Sequence, residues 1–285
     1  MKPLRTVWPS LSAACIAACA LLMGCTAGTT VVSGPGASGD NRTATPSGGD
    51  PPGATTPGEK APANSSGAPA TPPSSAAWTG QKISVVLEGR GDTDMPDGTG
   101  VEIVVDPKAT AVSASFVAET PPKGLPPLRP PYLSVTDKNG VIDVHCVRGQ
   151  LDCSTLTVTI PSGTPSEPLR LTVVSSKYGV HASGATATVA SLVVRSTGHG
   201  DVAFDVAPTL GASIDITGSG NLMDVTLPPT FAADQVTLFN HDAHGYLDVT
   251  DFPGLDAGST FGPAGTGVKL LRLDATFDIA VHKHP

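Results

Sequence analysis

The sequence is poor in aromatic residues and in charged residues. Phe, Trp and Tyr make up 4% of the 285 residues, and Asp, Glu, Lys and Arg make up 15%. The chain has 17 Lys and Arg against 25 Asp and Glu, a formal net charge of -8, and shows no basic stripe or cluster of stacking aromatics. Binding to nucleic acid or to anionic lipid requires a concentrated basic surface. We therefore expect neither of them as a partner.

The sequence also lacks the short motifs that carry common catalytic chemistry. It has no Gly-x-Ser-x-Gly elbow, no His-Glu-x-x-His helix and no phosphate-binding loop. Ser, His and Asp are abundant, but no spacing among them indicates a nucleophile. We expect a protein that is not an enzyme and has no catalytic residues.

The N-terminal residues have the order of features typical of an export signal. Lys2 and Arg5 precede the apolar run from Leu11 to Met23, and a small residue, Gly24, follows. The run is shorter than the roughly 20 residues that a membrane-spanning helix needs. Residues 1–24 are therefore predicted to be a cleaved signal peptide.

The residues Leu22, Met23, Gly24 and Cys25 resemble the lipobox of bacterial lipoproteins. The resemblance implies a covalent lipid on Cys25, no other cofactor, and attachment to a membrane through that lipid. It also implies an extracytoplasmic location in the cell envelope, on an outer membrane or at the cell surface. The alternative is an ordinary signal peptide that contains a cysteine by chance.

The remaining cysteines favour a disulfide. Two of the five cysteines lie in the predicted signal and Cys25 is taken by lipid, which leaves Cys146 and Cys153. Two cysteines outside the cytoplasm indicate one disulfide, here across a hairpin turn between Val141–Val144 and Leu156–Ile160. A catalytic or redox pair is the alternative, but the spacing is not Cys-x-x-Cys.

The composition changes near residue 80. After Cys25, the segment up to residue 79 consists almost entirely of Thr, Ala, Gly, Ser and Pro. Such a segment has little apolar surface to bury and is predicted to be a disordered linker, spanning 25–79 with the lipidated cysteine. Residues 80–285 are long enough for one sizeable domain.

The domain is predicted to be all-β, because short apolar or alternating segments recur throughout it and no convincing helical pattern competes. The predicted strands are Ile83–Leu87, Val101–Val105, Ala111–Val117, Val141–Val144, Leu156–Ile160, Leu169–Val174, Val189–Val194, Val202–Val206, Ile214–Ile216, Val225–Leu227, Val236–Leu238, Leu247–Val249, Val268–Leu273 and Phe277–Val281.

A weak repeat of strand, glycine turn and strand occurs in the second half. Thr197-Gly198-His199-Gly200-Asp201 aligns with Thr217-Gly218-Ser219-Gly220-Asn221, 20 residues later. Weaker copies surround Gly179 and Gly245. We expect the glycines to supply the positive backbone angle of a tight turn. Because one such unit cannot bury its apolar face alone, neighbouring units are predicted to stack as a β-solenoid or a layered antiparallel sheet.

These turns, with Leu156–Pro161 and Val225–Pro229, resemble a family of extracytoplasmic bacterial adhesin-like proteins that have a β-solenoid domain. The resemblance covers about residues 154–255 and implies a binding domain that meets an envelope or extracellular ligand. The alternatives are a periplasm-facing structural or stress-linked lipoprotein and a metal-binding envelope protein.

Stacked turns would place His199, Ser219 and His244 in one row, with His241 nearby. Imidazoles suit zinc or copper. With one serine between them, however, the outer two histidines would lie roughly 9 to 10 Å apart, too far to share an ion unaided. We therefore favour solvated turn side chains over a metal site.

Overall fold

The computed structural model describes residues 74–89, 100–121, 124, 126–255 and 259–285. The predicted signal peptide, Cys25 and most of the predicted linker lie outside these residues. The described part contains sixteen β strands and no helix, which confirms the all-β prediction. No helix long and apolar enough to cross a membrane occurs among the described residues.

The strands occupy most of the described sequence. In chain order they are β1 Ser74–Ala77, β2 Lys82–Leu87, β3 Gly100–Asp106, β4 Ala111–Ala118, β5 Tyr132–Lys138, β6 Val141–Val147, β7 Cys153–Pro161, β8 Leu169–Ser175, β9 Val180–Gly184, β10 Ala187–Ser196, β11 Val202–Gly218, β12 Leu222–Leu227, β13 Val236–Asn240, β14 Leu247–Asp248, β15 Leu270–Ala275 and β16 Asp278–Lys283.

The strands form one mixed sheet with two parts that share β11. In the first part the strand order is β1-β4-β7-β3-β9-β11-β12-β16-β14, and in the second part it is β5-β6-β2-β8-β10-β11-β15-β13. The end strands β1 and β4 of the first part also contact β5 of the second. The sheet is therefore nearly closed into a barrel at that end.

The chain alternates between the two parts, and the strands of the repeat lie parallel to their neighbours. β10 is parallel to both β8 and β11, and β11 is parallel to both β12 and β15. Antiparallel pairs join only β1 to β4, β4 to β7 and β5 to β6 among the described strands. The layered antiparallel sheet, one of the two options predicted for the repeat, is thus wrong. Equivalent strands of successive units lie side by side and run in the same direction.

The spatial order of the strands differs from their order along the chain at two places. β2 and β3 lie between the pair β6–β7 and the pair β8–β9. Similarly, β15 and β16 lie between β11–β12 and β13–β14. The stack therefore extends beyond the predicted repeat of 154–255, to Lys283 at the end of β16.

The domain begins earlier than the sequence predicts. The linker is expected to reach residue 79, but Ser74–Ala77 form β1 and pair with Ala111–Ala114 of β4. Ala76 packs against the core, and the indole of Trp78 donates a hydrogen bond to the carbonyl of Gln81 over 2.9 Å. Pairing with an existing strand orders small residues that have no apolar pattern of their own.

The core consists of alternating strand residues that face inward and form a single apolar cluster. In β10 and β12, for example, Leu192, Val194 and Val225 are completely buried while their chain neighbours are partly exposed. This period of two is the pattern expected when one face of each strand is covered. Burial of these side chains is the main stabilising contribution.

Candidate functional site

The chain passes from the second part of the sheet to the first through a row of short turns on one side of the domain, which we call the turn edge. Backbone hydrogen bonds join each turn to the next, as from Thr197 N to Ser175 O and from Ser219 N to Ser196 O. The described residues of this edge, in spatial order, are 148–152, 88–89, 176–179, 197–201, 219–221, 276–277 and 241–246.

The predicted turn glycines lie at this edge, but for a different reason from the one expected. Gly179, Gly198, Gly200 and Gly220 do not have positive φ angles. Instead, a Cβ at Gly200 would lie 2.6 Å from the Cα of Gly179, and a Cβ at Gly220 would lie 2.6 Å from the carbonyl carbon of Gly200. These glycines therefore allow backbone to stack directly on backbone.

The other two predicted turn glycines are less crowded by backbone. A Cβ at Gly218 would meet only side-chain atoms, at 3.2 Å and beyond, and one at Gly245 would meet the side chain of Asn240. Neither has a positive φ angle. The repeat thus predicts the stacked turns correctly, but its glycines are not equivalent.

The structure separates the predicted histidine row further than expected. Thr276 donates its N–H to Gly218 O, and His241 donates its N–H to Ala275 O, so the β15–β16 turn lies between the Ser219 turn and the His244 turn. His199 and His244 are consequently three strand spacings apart, roughly 14 Å, rather than two. The expected order is wrong because β15 is inserted between β11 and β13.

His241 has a carboxylate partner of its own. Its Nε2 lies 2.8 Å from Oδ1 of Asp274, which also forms an ion pair with Arg272 over 2.7 Å. Within the described ranges, no group of three or more His, Cys, Asp and Glu is arranged to hold a metal ion. The structure does not bring His199, His241 and His244 together.

A buried charged group, which we call the lysine cluster, lies at one end of the turn edge and consists of Glu119, Arg148, Asp152 and Lys177. The side chains of Lys177 and Asp152 are 3% and 5% exposed. Lys177 forms ion pairs with Glu119 and, over 3.3 Å, with Asp152. Arg148 Nε contacts the other carboxylate oxygen of Asp152 at 3.1 Å. Isolated charges are almost never buried, so this grouping indicates a specific role or a tightly packed ionic network.

Local hydrogen bonds hold the turn that carries Lys177. The buried hydroxyls of Ser175 and Ser196 both donate to Tyr178 O, over 2.8 and 3.0 Å. The lysine Nζ also lies 5.1 Å from the centre of the Tyr178 ring. A Cβ at Gly89 would be 2.7 Å from the Cβ of Lys177. Lys177 is therefore enclosed by the neighbouring turn and cannot swing out freely.

The environment raises the pKa of Lys177 above its ordinary value. Burial by itself lowers this pKa, but the hydrogen bond and negative charge of Glu119 raise it, with smaller contributions from Tyr178 and Asp152. A lysine pKa that folding raises stabilises the folded state fully below the unfolded pKa, and that contribution is lost as the pH rises through the folded pKa. Lys177 is thus protonated at neutral pH.

The disulfide lies beside the lysine cluster. Cys146 and Cys153 are bonded, as predicted, with their Cα atoms 6.8 Å apart. The predicted hairpin between the flanking strands is wrong, because β6 pairs with β2 and β5 whereas β7 pairs with β3 and β4. The bond therefore ties the second part of the sheet to the first across a turn of the edge.

The opposite end of the turn edge carries a group of exposed aromatic side chains, which we call the aromatic corner: Phe239, Tyr246 and Phe277, with His241. The three aromatics are 54%, 62% and 36% exposed, and the rings of Phe239 and His241 are 5.2 Å apart. Hydrogen bonds from Tyr246 N to Asp278 and from Ile279 N to Tyr246 O bring the segments together.

The lysine cluster could not be predicted from the sequence. Glu119 and Asp152 are 58 and 25 residues from Lys177 along the chain, and no local spacing links them. A signal was available for the corner, since Phe239, Tyr246 and Phe277 are aromatic residues at or beside strand ends in a chain with few aromatics. The glycine repeat predicts the correct edge of the domain. The side chains that it singles out, His199 and His244, belong to neither the lysine cluster nor the aromatic corner.

No protein-family model matches the sequence, and no curated protein is similar to it. Among solved structures, the chain has a weak similarity to a proposed cell adhesion protein from Clostridium sporogenes. The TM-score is 0.47 and the sequence identity 10%, over 75% of this chain and 99% of that chain. A likeness at this level carries no argument about function, since one fold supports many activities.

Proposed function

We propose that the protein is a lipid-anchored component of the bacterial cell envelope that presents an adhesin-like, non-catalytic binding domain. In this proposal Cys25 carries the lipid and residues 26–73 form the spacer. The domain is a β-solenoid in which β2 and β3 are inserted between later strands towards one end, and β15 and β16 between earlier strands towards the other. The order of the lipobox, the polar linker and the parallel repeat supports the proposal.

The observation that carries the binding role is the aromatic corner. Four of the six exposed large apolar side chains among the described residues are aromatic, and three of these four belong to the corner. Exposed apolar side chains that occur in a group mark interaction surfaces, and aromatic residues provide much of the binding energy at protein interfaces. Their concentration at one end of a stalked domain favours an end-on contact with an envelope or extracellular ligand.

The side of the membrane can be tested on intact cells. Antibody against residues 80–285 should label cells that have not been permeabilised, and added protease should remove the domain. Labelling only after permeabilisation would contradict the adhesin-like role and favour the periplasm-facing structural or stress-linked alternative.

The binding surface can be tested with paired aromatic substitutions. We expect Phe239→Ala with Tyr246→Ala to weaken retention of the purified protein on cell-envelope preparations by about tenfold or more, because truncated aromatic anchors cost more than 1 kcal/mol each. Tyr132→Ala is the matched control, since Tyr132 is 59% exposed but lies on β5. Equal retention of the wild-type protein, the Phe239 and Tyr246 double variant and the Tyr132 variant would contradict a binding role for the aromatic corner.

A further inference from the structure

The lysine cluster contains a primary amine held against a buried carboxylate. Lys177 Nζ lies 3.3 Å from Oδ2 of Asp152, so the carboxyl carbon is no more than one carbon–oxygen bond further away. Groups that are held in contact, with little freedom to move, react far faster than the same groups in solution. Both side chains are at most 5% exposed, which excludes most of the water that would compete for them.

The energetics of the pair favour removal of its charges. Burial of an ammonium and a carboxylate costs several kcal/mol per ion, and the attraction between Lys177 and Asp152 by itself offsets only part of this cost, because Glu119 supplies the larger stabilisation of the ammonium. A neutral amide in the same place would carry no such penalty, and the water released would leave for solvent. Condensation is therefore less unfavourable here than between free side chains in water.

We propose that Lys177 and Asp152 condense to form an intramolecular amide, with Glu119 as the proton carrier. The Lys177 ammonium gives one proton to the Glu119 carboxylate, which frees the lone pair on Nζ. Nζ then attacks Cγ of Asp152. As the new N–C bond forms, Glu119 delivers its proton and a second one from Nζ to the leaving oxygen, and the C–O bond breaks to release water. One positive and one negative charge disappear, and the third proton stays on the amide nitrogen.

The neighbouring groups occupy the positions that this reaction needs. Glu119 contacts the attacking amine, and its backbone N–H donates to Asp152 O over 3.0 Å, which fixes both residues beside the ends of β4 and β7. Arg148 Nε lies 3.1 Å from Oδ1 of Asp152. The developing negative charge on Oδ1 is therefore stabilised by a guanidinium that is already in place.

The amide would join the turn before β7 to the turn after β8, next to the Cys146–Cys153 disulfide. The amide would cross-link the two turns on either side of the turn at residues 88–89, and the disulfide closes one of them, at the end opposite the aromatic corner. A permanent cross-link there resists local opening of the stack under mechanical load, which suits a domain that is tethered at its N-terminal side.

Peptide mapping of the full chain, purified from its own cells, tests the proposal directly. After reduction, alkylation and trypsin digestion, we expect a branched species that joins peptide 149–170 to peptide 171–195 and lacks the mass of one water. The free peptide 171–177 should be depleted, because trypsin does not cleave after an acylated lysine. An amide to Glu119 would instead attach peptide 109–123 and would overturn the assignment of roles.

Three variants distinguish amide formation between Lys177 and Asp152 from an ion pair without a covalent bond. Lys177→Arg should abolish the branched species, and Glu119→Gln should reduce it roughly a hundredfold, a typical loss when a proton carrier is removed. Lys108→Arg, at an exposed lysine, should leave it unchanged. Quantitative recovery of unmodified peptide 171–177 from the wild-type protein would show that the cluster is an ion pair only and would overturn the proposal, whether or not the variants fold.

Discussion

At the scale of single residues, the described chain concentrates its unusual chemistry in a few side chains. Lys177 is buried at 5% exposure in a domain whose other buried residues are almost all apolar. The remaining buried polar residues are Asp152, Ser175 and Ser196. Asp152 forms an ion pair with Lys177, and both serines donate hydrogen bonds to the turn that carries it. Loss of one partner of a buried ion pair leaves an uncompensated charge, so these residues constrain the local conformation.

Three phenylalanines in the connections before β13 and β15 pack on one another as part of the apolar core. Phe252 is 2% exposed and makes edge-on contacts with Phe231 and Phe261, with ring centres 5.9 and 6.0 Å apart. The rings therefore pack the connection before β13 against the connection before β15.

We expect Phe252→Ala to lower the free energy of unfolding by about 3 to 5 kcal/mol, because it leaves a cavity between the two remaining rings. Urea denaturation followed by circular dichroism measures the change. Phe239→Ala is the control, since its ring is 54% exposed and its loss should change the free energy by about 0.5 kcal/mol or less. Similar losses in both variants would contradict the packing role assigned to Phe252.

At the scale of elements, stacking of the turns depends on glycine where backbone meets backbone. Gly200 is in the middle of this stack, against the Gly179 turn on one side and the Gly220 turn on the other. The strands on either side are held in parallel register by their own hydrogen bonds. An added methyl group therefore cannot be accommodated by a shift of one turn alone.

Gly200→Ala should destabilise the domain by about 1 to 3 kcal/mol through overpacking. Gly218→Ala is the matched control in the same repeat, because its Cβ would meet the Val202 side chain at 3.2 Å rather than backbone. The difference in melting temperature between the two variants is the measurement. A Gly218 variant as unstable as the Gly200 variant would contradict the role assigned to the close approach of backbone at Gly200.

At the scale of the whole molecule, the proposed function depends on attachment to a membrane. Acyl chains bind membranes with about 0.8 kcal/mol per buried methylene, so two or three of them would make an essentially permanent anchor. In the proposal, localisation therefore depends on Cys25.

Cys25→Ser should abolish incorporation of labelled palmitate into the protein, because in the proposal the lipid is attached through a thioether to that sulfur. Cys146→Ser, which removes a cysteine from the domain instead, should leave the labelling intact. Labelling with fatty acid in growing cells, followed by precipitation of the protein, distinguishes the two. Retained label in the Cys25 variant would contradict lipidation at that residue.

The sequence by itself determined the features that depend on local pattern. Alternation of β-branched residues predicted most strands correctly, and the glycine repeat predicted stacked turns. Three strands were missed, β1, β5 and β9, because Ser74–Ala77, Tyr132–Lys138 and Val180–Gly184 are short or mostly polar and are ordered by pairing with stronger neighbours.

Only the tertiary structure decided which turns are neighbours. Insertion of β15 between β11 and β13 separated His199 from His244, and insertion of β2 and β3 placed Gly89 against Lys177. Contacts between segments far apart in the chain leave no periodic trace in the sequence, because strand pairing depends on the free energy of the whole stack. The lysine cluster and the aromatic corner are products of that order of strands.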